Sequence, residues 1–408
     1  MIFGMDIKMF SGLAAAVICS CTGCNQECEM GTYGYDLAFL EKQNVDVVEL
    51  KSDDGQSKVM VIPAWQGRVM TSTTGGNEGD SYGWINYKLI ESGEVSPQFN
   101  PVGGEERFWL GPEGGPFSWY FKKGQEQVHS NWVVPAVIDT EAYDIESQDG
   151  RSIVFTKKFS LVNASDVRFD MGLRRTVSLL DRTEISEVLG SDLPEGVKAI
   201  AYCSDNVLSN CGDAAWTKET GMPSVWMLGL FNPTPTTTVF IPYNKECQGK
   251  LVKDDYFGKI PSDRLVLEDG MLYFKIDGLC RTKLGLPPGS ASGIAASYDT
   301  EKSVLTVLKY VAPAEDALYV NSQWGDQDDP FDGDVINSYN DGPTEDGTVM
   351  GPFYEIEASS PAAALAPGES LAHIQYTIHI QGDKELIADI VKDTFGVELA
   401  KITGMFSK

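Results

Sequence analysis

Hydrophobic and polar positions alternate with period two over much of this chain, and turn residues break the alternation at short intervals. Such a pattern belongs to antiparallel β-structure, in which successive side chains point to opposite faces. Residues 152–162 place Ile153, Phe155, Phe159 and Leu161 on one face. The chain then turns at Asn163-Ala164-Ser165-Asp166 and resumes with Val167, Phe169, Met171 and Leu173. The spacing predicts a hairpin. Further strands are expected over 57–62, 68–74, 224–231, 236–242, 272–276, 293–298 and 303–310. Along 372–380, Ala372, Ile374, Tyr376, Ile378 and Ile380 are expected to face the core. His373, Gln375, Thr377 and His379 are expected to face away from it, exposed or lining a groove. Only 36–43 and 383–395 read as helices. The second has Asp383 to cap its start, Leu386, Ile387, Ile390 and Val391 on one stripe, and Gly396 to end it. The expected fold class is all-β, a sandwich or barrel with a short C-terminal helix against its edge. No Pro/Ser linker, internal repeat or low-complexity run divides the chain, so one domain over 33–408 is expected.

The N-terminus departs from this pattern. Residues 9–18 (MFSGLAAAVI) are apolar and small and end in Cys19-Ser20-Cys21-Thr22-Gly23-Cys24. The run is shorter than the roughly 20 apolar residues a spanning helix needs, so it reads as a signal h-region. Small residues directly before a cysteine suit a lipoprotein signal peptidase, which makes 1–23 a lipoprotein signal peptide and 24–32 a polar tether. Thr22-Gly23 favours lipidation of Cys24. Cysteine parity favours Cys21, because six thiols would then remain. The expected location is the cell envelope, with the chain lipid-anchored at an outer membrane on its periplasmic or surface face, and the lipid as its one membrane contact.

Charge narrows the partners. Fifty-nine acidic residues against 32 lysines and arginines give a formal charge of −27, which repels phosphate backbones and anionic membranes. Nucleic acid is excluded as an expected partner, and neutral ligands or cations fit better. The oligomeric state is left open. Export permits disulfides, and Cys203 with Cys211 is the first pairing to consider; two unpaired buried thiols would look the same. No zinc spacing, Walker sequence, nucleophile elbow or dinucleotide fingerprint is present. The pairs Gly75-Gly76, Gly103-Gly104 and Gly114-Gly115 lie between β-type segments, so they read as turns.

Three segments carry a family resemblance. They are VIPAWQGRVMTS (61–72), GGEERFWLGPE (103–113), and FYEIEASSPA (353–362) followed by LAPGES (365–370). Together they resemble uncharacterised bacterial lipoproteins of the galactose mutarotase-like (aldose 1-epimerase-like) superfamily. The resemblance implies a β-supersandwich with a concave sugar-binding face. It makes Glu355 similar to the catalytic glutamate that acts as base on the anomeric hydroxyl, Arg107 to a substrate-contacting arginine, and His129 to the first of two histidines. The second histidine has no counterpart. His373 and His379 follow the glutamate strand instead of preceding it, and about 20 Å of strand separates them, too far to share a metal. Glu357 shares a strand face with Glu355.

The densest polar run is 321–343, with Trp324, Asp326, Asp328, Asp329, Asp332, Asp334, Asn337 and Asn340. Crowded oxygen ligands in a Gly/Pro-turned loop suit Ca²⁺, although Pro330 and Phe331 break the EF-hand spacing, and Asx turns explain the same residues. Trp324, Phe331 and Tyr339 beside carboxylates and amides also suit a sugar-site wall, with Trp109 as a further platform. Two readings follow. A carbohydrate-binding lipoprotein would use Arg107, Trp109, Trp324, Glu355, Glu357, Asn337 and Asn340 as ligand contacts. A sugar-active enzyme, epimerase or glycosidase in type, would use Glu355 as acid or base with Arg107, His129 and an aspartate such as Asp328 or Asp334. A structural surface protein with a decayed site stays open, and no cofactor beyond Ca²⁺ is suggested.

Overall fold

The computed structural model describes residues 28–314, 316–344 and 347–407. The signal segment and both candidate lipidation sites, Cys21 and Cys24, lie outside the described residues. Helix α1 (Tyr33–Lys42), capped by Thr32, opens the fold and leads into β1 (Val48–Lys51), β2 (Lys58–Ile62) and β3 (Arg68–Thr73). After α2 (Tyr87–Ser92) come β4 (Arg107–Gly111), β5 (Asp144–Gln148), β6 (Ser152–Val162) and β7 (Arg168–Leu179). Helix α3 (Arg182–Leu189) precedes β8 (Lys198–Asn210), β9 (Ser224–Phe231), β10 (Thr237–Pro242), β11 (Leu265–Glu268) and β12 (Met271–Lys275). The chain continues with β13 (Thr282–Leu286), β14 (Ile294–Asp299), β15 (Val304–Tyr310), β16 (Ile336–Asn340), β17 (Tyr354–Ser359) and β18 (Ser370–Gln381). It closes on α4 (Lys384–Phe395) and α5 (Leu399–Gly404).

These strands form a ten-stranded sheet, β11-β12-β10-β14-β15-β18-β8-β7-β6-β5, a five-stranded sheet, β13-β16-β17-β9-β4, and a three-stranded sheet, β1-β2-β3. The expected all-β supersandwich with a C-terminal helix is what the chain forms. The hairpin expected at 163–166 joins β6 to β7 in register from Ser152↔Ser178 to Val162↔Arg168. Apolar residues of the two larger sheets meet face to face: Tyr354, Ile356 and Ala358 of β17 pack with Val239, Ile241, Leu272 and Phe274 of β10 and β12. The outer face of the ten-stranded sheet is covered by α3, α4 and α5 through Ile185, Ile387, Ile390, Val391 and Ile402. Of these helices only α4 was expected, although Asp181 and Glu184 form a capping box at the start of α3.

Two expectations are corrected. His373, Gln375, Thr377 and His379 do not face away from the core; all four are buried inside the sandwich. The other face of β18 carries Ile378 and Ile380 under the helices. Over 377–380 both faces of this strand are covered, so alternation there distinguishes the faces without saying which one meets the second sheet. Cys203 and Cys211 are unpaired, as are Cys28, Cys247 and Cys280. Cys203 lies within β8 and Cys211 just beyond its end, so eight residues of extended chain hold them about 25 Å apart.

The polar interior fixes the start of β4. Arg175 and Glu106, neither exposed, pair at 2.8 Å. Arg175 also donates to Asn206 at 2.8 Å and to the Gly67 carbonyl at 3.1 Å. Ser204 and Gln375 each donate to Glu106 at 3.0 Å. Glu105 accepts from Ser72 at 2.7 Å and meets His379 Nε2 at 2.9 Å. Buried charges persist only when paired and hydrogen-bonded in this way. The network clamps residues 105 and 106 to the ten-stranded sheet, which determines where the next residue, Arg107, points. Gly103 and Gly104, at φ 96° and 117°, make the turn into this segment, and a Cβ at Gly103 would stand 2.2 Å from the Trp84 carbonyl oxygen.

Candidate functional site

Register decides which side chains share the face of the five-stranded sheet that points away from the sandwich interior. Arg107 and Trp109 lie opposite Leu228 and Trp226 of β9. Glu355 and Glu357 lie opposite Leu230 and Leu228. Tyr339 and Asn337 of β16 then oppose Glu355 and Glu357, and Lys283 of β13 opposes Tyr339. Residues 248 positions apart thus become neighbours: Arg107 Nη2 donates to Glu355 Oε1 at 3.2 Å. Glu357 accepts from Lys283 Nζ and from Trp226 Nε1, both at 2.9 Å. The floor is a strip of alternating charge, with each cation beside a carboxylate.

The wall is aromatic and comes from β4, the segment before it, and the loops after β4 and β15. Trp109 lies under the Arg107 guanidinium at 4.2 Å, and Phe99 and Trp132 pack against Trp109. Trp324 stacks on Trp132 at 6.1 Å and meets Phe121 edge-on. The two loops are tied together by Gln127, whose Oε1 accepts from Gly115 N and Gly325 N, both at 2.8 Å. Trp324 is 37% exposed, whereas Trp109 and Trp132 are buried. Three buried polar atoms in this region make no hydrogen bond among the described residues: Arg107 Nε, Trp109 Nε1 and Glu357 Oε1.

The charge balance perturbs the acids. Burial raises the Glu355 carboxyl well above its ordinary range, and Glu357 beside it pushes the same way, outweighing Arg107 and Lys283. Glu113, half-buried on the loop after β4, is pushed up to about 7 by burial, with Lys283 and Trp324 pulling it back. Burial pulls the Lys283 ammonium down, but Glu357, Glu355 and Glu113 more than reverse this, so it stays charged. Burial also raises Asp334, which is held by Tyr256 and lies 3.5 Å from Lys253.

Of the residues expected at the site, Arg107, Trp109, Trp324, Glu355, Glu357 and Asn337 come together. His129 stands exposed at the rim, its ring stacked on Trp132 at 6.0 Å. Asn340 does not join them. It lies on the opposite face beside Tyr354, where it accepts from Gly278 N at 2.8 Å and donates to the Cys280 carbonyl at 2.9 Å. Nor do the five loop aspartates gather. Asp326, Asp328, Asp329 and Asp332 are exposed while Asp334 is buried, and among the described residues no group of three or more His, Cys, Asp or Glu converges as a metal site. Lys283, Trp226 and Glu113 were not foreseen as site residues. Glu113 ended a motif that marked it, but Lys283 and Trp226 had no local signal.

A family model described as a family of unknown function (DUF6786) matches residues 31–406. The chain belongs to the DUF6786 family. No curated protein matches it. Among solved structures it is similar to the Slr1438 protein from Synechocystis sp. PCC 6803, with TM-score 0.51, 13% identity, and coverage of 83% of this chain and 96% of that one. That likeness is one of fold. Similarity at lower scores extends to a galactose mutarotase-like protein from Lactobacillus casei ATCC 334 (TM-score 0.48, 10% identity, 82% and 100% coverage). It extends also to a galactose mutarotase related enzyme from Lactobacillus acidophilus (0.44, 9%, 83% and 97%).

Proposed function

We propose that this DUF6786 protein binds a neutral sugar at the face formed by the β4-β9-β17-β16-β13 floor and the tryptophan wall. The observation that carries the reading is the set of unpartnered buried polar atoms, two donors on Arg107 and Trp109 and one acceptor on Glu357. Buried polar groups without partners are costly, and a native fold keeps them where a ligand or solvent completes them. A ligand that both accepts and donates, with an apolar face for the exposed Trp324 ring, has the chemistry of a pyranose and its hydroxyls. Each cation of the floor lies beside a carboxylate, Arg107 beside Glu355 and Lys283 beside Glu357, which favours a neutral ring over a phosphate or carboxylate. The anchor belongs to the same proposal: lipidation at Cys24, or at Cys21, would hold this face at the cell envelope. A glycan array probed with the full-length chain tests the binding. Retention of a defined set of neutral glycans is expected, and retention of none, or of anionic glycans alone, refutes it.

A second reading, that the site also transforms the sugar, is favoured by the state of Glu355. A carboxyl raised by burial, yet held 3.2 Å from an arginine, is suited to exchanging a proton near neutral pH.

A further inference from the structure

The polar atoms that would meet a ligand lie out of its reach. Arg107 is 6% exposed, Trp109 3% and Glu357 not at all. A stack of rings covers the first two. From the floor outward it runs from Arg107 to Trp109 at 4.2 Å, from Trp109 to Trp132 at 6.3 Å, and from Trp132 to Trp324 at 6.1 Å. Of these three indoles Trp324 alone is exposed. A ligand reaches the floor here only if the outermost ring moves first.

The segment that carries Trp324 is built to move as a unit. Residues 321–330 close on themselves: the Asn321 N–H donates to the Pro330 carbonyl at 2.8 Å, and Asn321 Nδ2 donates to the Asp329 carbonyl at 3.3 Å. Gln327 Nε2 holds the inside of the loop, donating to the Asn321 and Gln323 carbonyls at 3.0 and 2.6 Å. The stem is fixed by the Gly333 N–H on the Tyr319 carbonyl at 3.0 Å and by the Lys253–Asp332 pair at 3.3 Å. A loop whose ends meet and whose own side chains pack it is an Ω-loop, a frequent carrier of function. Its ties to the loop after β4 are lighter. The Gly325 N–H donates to Gln127 Oε1 at 2.8 Å, the Glu113 N–H donates to Ser322 Oγ at 3.2 Å, and Trp324 rests on Trp132 and Phe121. Gln127 is itself held by Gly115, whose N–H donates to Oε1 and whose carbonyl accepts from Nε2, both at 2.8 Å. Gly114 lets the two loops approach, since a Cβ there would stand 2.7 Å from Trp324 Cα.

We propose that residues 321–330 form a lid that carries Trp324 over the floor, and that Gln127 is its latch. Opening breaks the hydrogen bonds of Gln127 and Ser322, lifts Trp324 from Trp132 and gives access to Trp109 and the charged strip beneath it. Closure brings the Trp324 ring down on whatever has entered. The stem and the hydrogen bonds inside the loop survive both steps, so the lid moves without unfolding. The lid rests on the sugar-binding reading for its ligand, but its opening is measurable with no ligand present.

Trp109 supplies the reporter. Its indole N–H is buried and makes no hydrogen bond among the described residues, so its exchange in D₂O waits on solvent access alone. The Trp119 indole N–H, also buried, donates to the Gly111 carbonyl at 2.8 Å and serves as the control. Both are followed by NMR in the full-length chain, with the two resonances assigned from Trp109→Phe and Trp119→Phe. In wild type, Trp109 is expected to exchange faster than Trp119. Gln127→Met keeps the length of the side chain and removes its hydrogen bonds; it should speed Trp109 exchange roughly fivefold or more and leave Trp119 unchanged. Ser322→Ala removes the second tie, should act in the same direction, and covers the case in which Gln127→Met does not fold. A wild-type rate for Trp109 in the folded variants, or an acceleration that Trp119 shares, overturns the lid. A neutral glycan retained by the array, added to the same samples, should slow Trp109 exchange. If it does not, while Gln127→Met still speeds that exchange, the sugar-binding reading falls and the lid stands.

Discussion

His373 offers a test of the buried polar seam that holds β4 in place. It is 2% exposed, its Nε2 has no hydrogen-bond partner among the described residues, and burial alone pulls its pKa down to about 4. In the unfolded chain the same imidazole titrates near 6.5. A depressed folded-state value means that the native protein keeps the ring neutral while the unfolded chain takes up the proton. Stability from this source is therefore complete above about pH 6.5 and is lost as pH falls toward 4. Linkage gives a loss of roughly 2 kcal/mol by pH 5 and about 3 kcal/mol by pH 4. His373→Gln cannot titrate. Its baseline stability will be lower or higher by its own packing, but its profile should lack this acid slope. Urea unfolding of both proteins at intervals from pH 7.5 to 4.5 measures the difference, which should shift by about 2 kcal/mol in favour of the variant on going from pH 7.5 to pH 5. Parallel profiles would show that His373 is solvated or charged in the native state, and the burial argument would fail.

Three further outcomes follow from the same structure. Glu355→Gln should gain on wild type as pH rises from about 4.3, because a carboxyl raised by burial loses stability as it ionises; a gain of at least about 1 kcal/mol by pH 8 is expected in thermal unfolding, and a pH-independent difference contradicts it. Arg175→Met leaves the Glu106 charge unpaired in the interior and should cost about 3–5 kcal/mol in urea unfolding; a cost under 1 kcal/mol would mean that the pair is not buried. In a bacterial host, labelled palmitate should be incorporated into wild type and Cys21→Ala but not into Cys24→Ala. Loss in Cys21→Ala alone would move the anchor to Cys21, and an unlabelled wild type would remove the anchor.

Local chemistry made many elements legible. Strand β9 was read as 224–231, its observed span, and α4 was found from its two ends, Asp383 accepting from Glu385 N and Gly396 at φ 67°. Asp166, at φ 67°, sits in the turn that the hairpin required. What stayed hidden depends on what lies across from a face. The histidine face of β18 looked solvent-facing because its partners, Glu105 and Glu106, arrive from a segment more than 250 residues earlier. The site divides the same way. Arg107 and Glu355 were recoverable because each sits in a motif, and the facing of Glu357 follows from a period of two. Lys283 is one cation in an unmarked strand, and only the β13-β16-β17 register brings it to Glu357. Asn340 was misplaced for the converse reason: it is one residue out of phase with Tyr339, which reverses its face.

The central claim is that the tryptophan wall and the charged floor bind one sugar. Saturation-transfer NMR on a glycan retained by the array, with wild type, Trp324→Ala and Glu357→Gln at equal concentration, tests it most directly. Trp324 is exposed, so its removal should spare the fold while weakening binding about tenfold through the lost stacking contact. Glu357→Gln should weaken binding through the floor, and ring protons on the apolar face should lose most signal in Trp324→Ala. Equal saturation in all three proteins would contradict the account, because the sugar would then lie elsewhere on the molecule.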